Sequence, residues 1–316
     1  MHPDFKATPA PITVAVSGAT GLIGSALVAR LRARGHSVRR LVRTVRESQP
    51  GDIAWDPMTA VLDVCALEGC DAIVHLAGAP IAQRWTEARK RAIRESRVRG
   101  TSLLARAVAA MAVKPRVVLS GSAIGYYGDR GDEQLDERSA SGHDFLAEVV
   151  RAWEAAAAPV AEAGVRLVLL RTGIVLSRDG GALAKLLPPF RLGVGGPIGS
   201  GRQWMSWISL DDQVRAMEHA LFADTLQGPA NLVAPNPVTN ATFATTLGRV
   251  LRRPALIPVP SFALTLMFGE MAEATILGSQ RVAPHALVAS GFEFGEPTLE
   301  GALRGALRED GSGVQD

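Results

Sequence analysis

Short runs of apolar, mostly β-branched residues recur along the chain at wide spacing: Ile12-Thr13-Val14-Ala15-Val16, Ala72-Ile73-Val74, Arg116-Val117-Val118-Leu119, and the stretch from Val165 to Leu170. Runs that are apolar at nearly every position, rather than at alternate ones, read as strands buried on both faces. Between them lie longer stretches with helical spacing. Leu22, Ala26, Leu27 and Leu31 fall on one face of a helix that stops near Gly35. Further helices are predicted over about 85–111, halting before Pro115, and about 145–163, ending at Gly164. Strand and helix alternate, which predicts βαβ units and a parallel, doubly wound α/β sheet. After about Asp211 the texture changes. A helix over about 210–222 gives way to a stretch with Pro229, Pro235 and Pro237, then to helical spacing over 239–251 and 262–277 and a closing Phe292-Glu293-Phe294. The pattern predicts a doubly wound domain over 12–225, a smaller α+β domain over 226–305, and tails at 1–11 and 306–316.

Composition narrows the class. The 316 residues are 47% hydrophobic and 21% charged, enough for a sizeable core and incompatible with a largely disordered or collagen-like chain. The net charge of +3 is too small over this length to imply a nucleic-acid partner. A basic stripe of Arg84, Arg89, Lys90, Arg91, Arg94, Arg97 and Arg99 is interleaved with Glu87 and Glu95 and runs round more than one helix face, so a homodimer contact or a solvated surface is expected there instead. Cys65 and Cys70, without companion ligands, match no metal pattern and read as small residues in a reducing compartment. The segment Met1–Pro11 holds three prolines and no apolar core of a signal peptide. The most apolar stretch, Val165–Leu176, is interrupted by Arg166 and Arg171. A soluble cytoplasmic protein with no membrane segment is expected.

The most informative stretch is Val14-Ala15-Val16-Ser17-Gly18-Ala19-Thr20-Gly21-Leu22-Ile23-Gly24. A strand enters a turn with glycines at 18, 21 and 24, and a helix leaves it. The first glycine permits the tight turn, the second lets backbone approach a diphosphate, and the third lets the helix pack on the strand. The anion would lie on the unpaired N–H groups and positive end of the helix. Residues Gly18 to Gly24 are therefore the candidate cofactor loop. An NAD site places an acid about 20 residues further on, for the ribose 2′-hydroxyl. Here no acid stands between Gly18 and Glu47, whereas Arg39, Arg40, Arg43 and Arg46 are present. A guanidinium binds a 2′-phosphate that a carboxylate would repel. NADP(H) is the expected cofactor, with Arg43, at the strand end, its reader.

In order along the chain, Ser17 to Gly24, His75-Leu76-Ala77-Gly78, Ser120-Gly121-Ser122-Ala123-Ile124-Gly125-Tyr126-Tyr127-Gly128, Leu170-Arg171-Thr172-Gly173 and Gly199 to Trp204 resemble the extended and atypical short-chain dehydrogenase/reductases, in particular their sugar-nucleotide-epimerase-like subfamily. The resemblance covers nearly the whole chain, including that subfamily's small C-terminal domain from Arg253 to Phe294. It implies a Rossmann fold, with Leu76, Ala77 and Gly78 along the adenosine-diphosphate side of the cofactor and Trp55-Asp56-Pro57, hence Asp56, approaching the adenine. Ser120 and Ser122 stand where the family places a Ser or Thr that hydrogen-bonds the reacting carbonyl. The loop ending in Arg202, Gln203 and Trp204 would close over substrate, Arg202 pairing with a phosphate, or would be a hinge whose Trp204 and Trp207 are core anchors.

Departures from the family pattern matter as much. Phe145 stands where the family's Tyr belongs and Val149 where its Lys belongs, and neither moves a proton. Arg97 replaces the usual Asn before Gly100-Thr101. Two readings remain open: an NADP(H)-dependent reductase or epimerase acting on a carbonyl or sugar-nucleotide substrate, with Ser122, Tyr126, Tyr127, Glu148 or His143 supplying the proton, or a redox-responsive module that binds NADP(H) without turnover. Asp211-Asp212 are expected to cap the following helix, and Met267 to Met271 to pack in a core or lid.

Overall fold

In the computed structural model, which describes residues 10–43 and 51–308, strand and helix alternate as the pattern requires. The first half contains β1 (Thr13–Ser17), α1 (Leu22–Ala33), β2 (Ser37–Val42), β3 (Ile53–Asp56), β4 (Val61–Leu62), α2 (Val64–Leu67), β5 (Ala72–His75), α3 (Glu87–Ala110) and β6 (Val117–Ala123). A short 3-10 turn, Ile124–Tyr127, then leads to β7 (Gln134–Leu135), α4 (Phe145–Ala156), α5 (Ala158–Glu162) and β8 (Arg166–Thr172). The chain continues through β9 (Ile174–Leu176), α6 (Gly181–Arg191), β10 (Trp204–Met205), β11 (Trp207–Ser209), α7 (Leu210–Phe222) and β12 (Gly228–Leu232). It closes with β13 (Val238–Thr239), α8 (Asn240–Leu251), α9 (Ser261–Phe268), a π-helical turn over Ala272–Leu277, β14 (Arg281–Val282), α10 (His285–Ala289) and α11 (Leu299–Leu307).

The described residues form an eight-stranded sheet in the order β12-β8-β6-β5-β1-β2-β3-β4, parallel except for the final pairing of β3 with β4. Strand order reverses between β1 and β5, so their carboxyl ends open a crevice there, the place where such sheets take ligands. One face of the sheet packs on α1 and α7 through Leu27, Leu31, Val214 and Met217. The other packs on α3 and α5 through Leu104, Val108 and Val160. Each of these aliphatic side chains stabilises the fold by roughly 1.5–3 kcal/mol through burial. A third core joins α6, α8 and α11 around Trp207, Phe243 and Leu247. No helix among the described residues is long and apolar enough to cross a membrane.

Several elements differ from the sequence pattern for identifiable reasons. The helix expected over 145–163 is two helices, because Pro159 has no N–H to continue the ladder. The helix expected over 262–277 breaks at Gly269, whose φ of +60° reverses the chain. Met267 is exposed and only Met271 of that pair is buried, beside Trp85 and Val149. The segment 228–232, assigned to the small domain by its prolines, is an edge strand of the main sheet, where Pro229 is tolerated. Ser209, and not an aspartate, caps α7 by accepting the Asp212 amide. Asp212 is sealed inside, holding Arg215 and the amides of Gly295 and Glu296. Phe292 and Phe294 form an edge-on ring pair 4.9 Å apart and no strand. Helix α11 runs to Leu307, so the C-terminal tail begins later than expected; the tail residues 1–9 and 309–316 lie outside the described residues.

Candidate functional site

At the mouth of β1 the chain turns at Gly18, with φ +69°. A Cβ there would lie 2.9 Å from the Leu76 carbonyl carbon and 3.0 Å from the Ala77 nitrogen, so only glycine lets the loop lie against the end of β5. The Gly21 amide donates to Gly18 O at 3.0 Å, and Gly21 starts α1 with no side chain capping it and no acid in the first turn. The first α-helical hydrogen bond is from Ser25 N–H to Gly21 O, which leaves the amides of Leu22, Ile23 and Gly24 ahead of it. A Cβ at Gly24 would fall on the Gly18 carbonyl oxygen. Ala19 is buried, Thr20 exposed, and Leu22 rests against Gly180. The geometry is an uncapped helix start behind a tight turn, in which Gly18 and Gly24 admit no side chain and Gly21 leaves little room for one; such a helix start can hold an anion.

The opposite wall is fixed by a buried clamp. Ser17 Oγ lies 2.6 Å from His75 Nδ1 and accepts the Leu76 amide at 3.1 Å. His75 is fully buried, and burial pushes its pKa down to about 4, which keeps the ring neutral at physiological pH. Leu76 and Ala77 thus lie against Gly18 across the switch point, and Gly78 follows them on the same loop, packed on Arg97. His75 itself was missed as a positioning group, although a histidine at the end of an all-apolar strand was the available signal.

The four arginines separate. Arg39 donates to the carbonyls of Ala66 and Glu68, closing α2. Arg40 grips Asp52 with two hydrogen bonds of 3.0 and 2.6 Å. Arg46 lies outside the described residues. Arg43 is exposed at the end of β2 and makes no hydrogen bond or ion pair among the described residues. Asp56 closes its own turn: hydrogen bonds from the Met58 amide and the Thr59 side chain, with smaller help from Arg43, hold its carboxyl below the usual range.

Beyond β6 the candidate catalytic residues are tied into a buried network. Ser122 Oγ donates to Glu154 Oε1 at 2.6 Å, and Arg171 binds both oxygens of Glu154 at 2.8 and 2.9 Å. Arg171 Nη1 also reaches the Tyr127 hydroxyl, which donates to Asn231 Oδ1 at 2.7 Å. Tyr127 is sealed, and burial pushes its pKa up to about 12 against the pull of Arg171. It is a strut for the network. Tyr126 is half-buried with the Arg171 guanidinium 3.5 Å from its ring centre, and its hydroxyl has no hydrogen-bond partner among the described residues. The Ser120 hydroxyl is buried and has no hydrogen-bond partner among the described residues. His143 and Glu148 are exposed and stand outside the network.

The positions expected for Tyr and Lys are apolar in space as well as in sequence. Phe145 meets Trp85 edge-on at 5.0 Å, and Val149 is buried with Trp85, Ile93, Leu146 and Met271. Glu154 and Asn231 were not singled out from the sequence, and Arg171 was noted only within a family motif and as an interruption of the apolar stretch. Arg171 carried the signal, since an arginine inside a strand buried on both faces requires a buried anion.

On the proposed substrate side, Arg202 is exposed, and Gln203 is a buried tie to the carbonyls of Ile198 and Ile276. Trp204 donates to Asp132 and is covered by Arg281, 4.4 Å from its ring centre. Trp204 and Arg281, with Gln134 and Asn236, line a cavity of about 200 Å³. The basic stripe is largely consumed internally: Arg84 caps α9 at Leu266 O, Arg89 donates to Pro80 O, Lys90 pairs with Glu270, and Arg99 pairs with Glu95.

Comparison with known proteins extends these observations. The model of a family described as the NAD dependent epimerase/dehydratase family matches residues 14–232, and that of a domain of unknown function, DUF1731, matches residues 259–306. An epimerase family protein of Mycobacterium tuberculosis is 44% identical over 299 residues, covering 94% of this chain and 98% of its own. The crystal structure of the human epimerase family protein SDR39U1 with NADPH superposes with a TM-score of 0.86 at 39% identity, covering 93% of this chain and 99% of that one. A nucleoside-diphosphate sugar epimerase from Corynebacterium glutamicum gives a TM-score of 0.75 at 41% identity, covering 93% of this chain and 57% of that one.

Proposed function

Because the chain belongs to the NAD dependent epimerase/dehydratase family, we propose that it binds NADP(H) in the crevice between β1 and β5 and acts on a carbonyl-bearing or sugar-nucleotide substrate through an atypical site. One observation carries the reading: a cradle built of Gly18, Gly21 and Gly24, with an uncapped helix start, stands beside a strand that ends in the uncommitted Arg43 instead of an acid. The human relative crystallised with NADPH has the same architecture and supports the choice of cofactor. NADP(H), when bound, supplies or accepts a hydride. The α1 amides would hold its diphosphate, Arg43 its 2′-phosphate, and the Leu76–Gly78 wall its adenosine side.

Proton handling falls to different groups than in the usual dyad. Ser122 donates its hydroxyl hydrogen bond to Glu154, so toward a substrate its oxygen would act as an acceptor. Tyr126, whose hydroxyl is uncommitted, is the group that would hold or pass a proton at a substrate oxygen. Arg171 and Glu154 position both.

Arg43→Asp should weaken NADPH by about tenfold or more while changing NADH far less, because the substitution removes a charge-assisted contact to the extra phosphate and adds repulsion. Calorimetric titration of both nucleotides checks this, and equal losses for the two would sink the assignment. The second reading, binding without turnover, draws on the apolar Phe145 and Val149 and on the commitment of the Ser122 proton. A panel of ketones, aldehydes and nucleotide sugars, followed by the absorbance of the reduced nicotinamide, separates the two: turnover that fails in Tyr126→Phe supports the enzyme.

A further inference from the structure

Helix α9 is apolar on every side, yet none of its residues is buried. A helix of this composition belongs inside a core or against lipid. Phe268 packs on the cluster of Trp85, Ile93 and Met271, while Phe262 and Leu266, one turn apart, are 73% and 76% exposed. Arg84, whose Nη1 donates to Leu266 O at 2.7 Å, and Lys90, paired with Glu270, hold the end of the helix in place. The segment ahead of α9 extends the patch, with Leu256 82% exposed and Ile257 exposed beside it. That segment runs along residues 193–199: the Ile257 amide donates to Gly195 O at 3.3 Å and the Val259 amide to Pro197 O at 2.8 Å, and a Cβ at Gly193 would stand 3.4 Å from the Pro254 ring. Leu192, Leu256, Ile257, Phe262, Leu266 and Met267 are thereby gathered together, most of the large apolar side chains that stand exposed among the described residues. Such a gathering marks an interaction surface.

The charge around the patch is one-sided. Between Asp179 and Asp211 the chain carries Lys185, Arg191 and Arg202 and no acid, and between Asp224 and Glu270 it carries Arg249, Arg252 and Arg253 and no acid. Arg191 ends α6 next to Leu192, and Arg252 and Arg253 follow α8 just ahead of Leu256. These three arginines are exposed, and their side chains make no hydrogen bond or ion pair among the described residues. Glu270 and Glu273 follow the other end of α9, and Glu270 is paired with Lys90. Apolar side chains that project from a surface enter the boundary between headgroups and acyl chains, and unpaired arginines beside them meet lipid phosphates. A two-fold contact through the same face would instead bring two sets of arginines together with no acid to offset them. We propose that the face formed by α9, residues 254–260 and the end of α6 docks on a bilayer containing anionic phospholipid, with Leu256, Phe262 and Leu266 inserted and Arg191, Arg252 and Arg253 on the phosphates. The binding is peripheral and independent of the nucleotide crevice.

The test is co-sedimentation of the full chain with vesicles of phosphatidylcholine alone and of phosphatidylcholine with about a third phosphatidylglycerol. The wild type should bind the anionic vesicles at least about tenfold more tightly than the neutral ones, and the difference should shrink as salt rises. Phe262→Ser combined with Leu266→Ser should weaken binding to anionic vesicles by about tenfold or more, through lost insertion. Arg191→Gln combined with Arg253→Gln should weaken it by a similar factor and leave binding to neutral vesicles unchanged. All four residues are exposed, so the urea midpoints of both double variants should match the wild type. Absence of wild-type binding, or equal binding to the two kinds of vesicle, overturns the proposal. So does undiminished binding by either double variant. Sedimentation equilibrium without lipid tests the other occupant: a dimer lost on Phe262→Ser with Leu266→Ser assigns the patch to a second copy and overturns the bilayer reading, whereas a monomer supports it.

Discussion

Replacing Gly24 with alanine should remove NADPH binding and destabilise the fold together. The added methyl falls on the carbonyl oxygen of Gly18, backbone against backbone, so no side-chain rotation relieves it. Helix α1 must move off the loop or the loop must open. Overpacking of this kind costs about 1–3 kcal/mol, and the same displacement moves the α1 amides that would hold the diphosphate. Urea unfolding and calorimetry check the two effects. Gly21→Ala is the internal contrast: its Cβ would stand 3.3 Å from the same oxygen, its φ of −76° suits any residue, and stability should change little. Wild-type nucleotide affinity in Gly24→Ala would mean that the α1 start does not form the site.

The second large effect is expected at Glu154. Its carboxylate receives Ser122 and both arms of Arg171, and its side chain is 11% exposed against 4% for Arg171. Glu154→Gln leaves the Arg171 charge buried without its counter-ion, and removal of one partner of such a pair costs about 3–5 kcal/mol. Tyr127 and Asn231, which complete the chain of hydrogen bonds, should loosen with it. Denaturant midpoints measure the loss. The double variant Glu154→Gln, Arg171→Met should recover part of it, because the unpaired charge is gone. Additive losses in the double variant would show that the two residues contribute independently.

These two sites also show what was legible in the sequence. The glycine pattern could be read because its requirement is local: a tight turn at Gly18 and a close helix approach at Gly24 fall within seven residues, and each demands a missing side chain. The alternating strands and helices were readable for the same reason. The Ser122–Glu154–Arg171–Tyr127–Asn231 network was not, because its members come from β6, α4, β8, the 3-10 turn and β12, and only the sheet register that sets Ser122 beside Arg171 brings them together. Arg39 and Arg40 look equivalent to Arg43 along the chain and differ only in what the fold places beside them, the end of α2 and Asp52. Trp204 was read as shaping a substrate pocket or anchoring a core, and the cation that covers it, Arg281, lies far away in sequence. Charge patterns name the candidates; long-range packing decides which remain free for a ligand.

Hydrogen exchange followed by mass spectrometry, with and without saturating NADPH, measures the cradle itself. Protection should rise in peptides spanning 18–25 and 76–79, where the exposed amides and the facing wall would be covered. Exchange unchanged in both segments at millimolar NADPH, or protection confined to the cavity around Trp204 and Arg281, would contradict a dinucleotide site between β1 and β5.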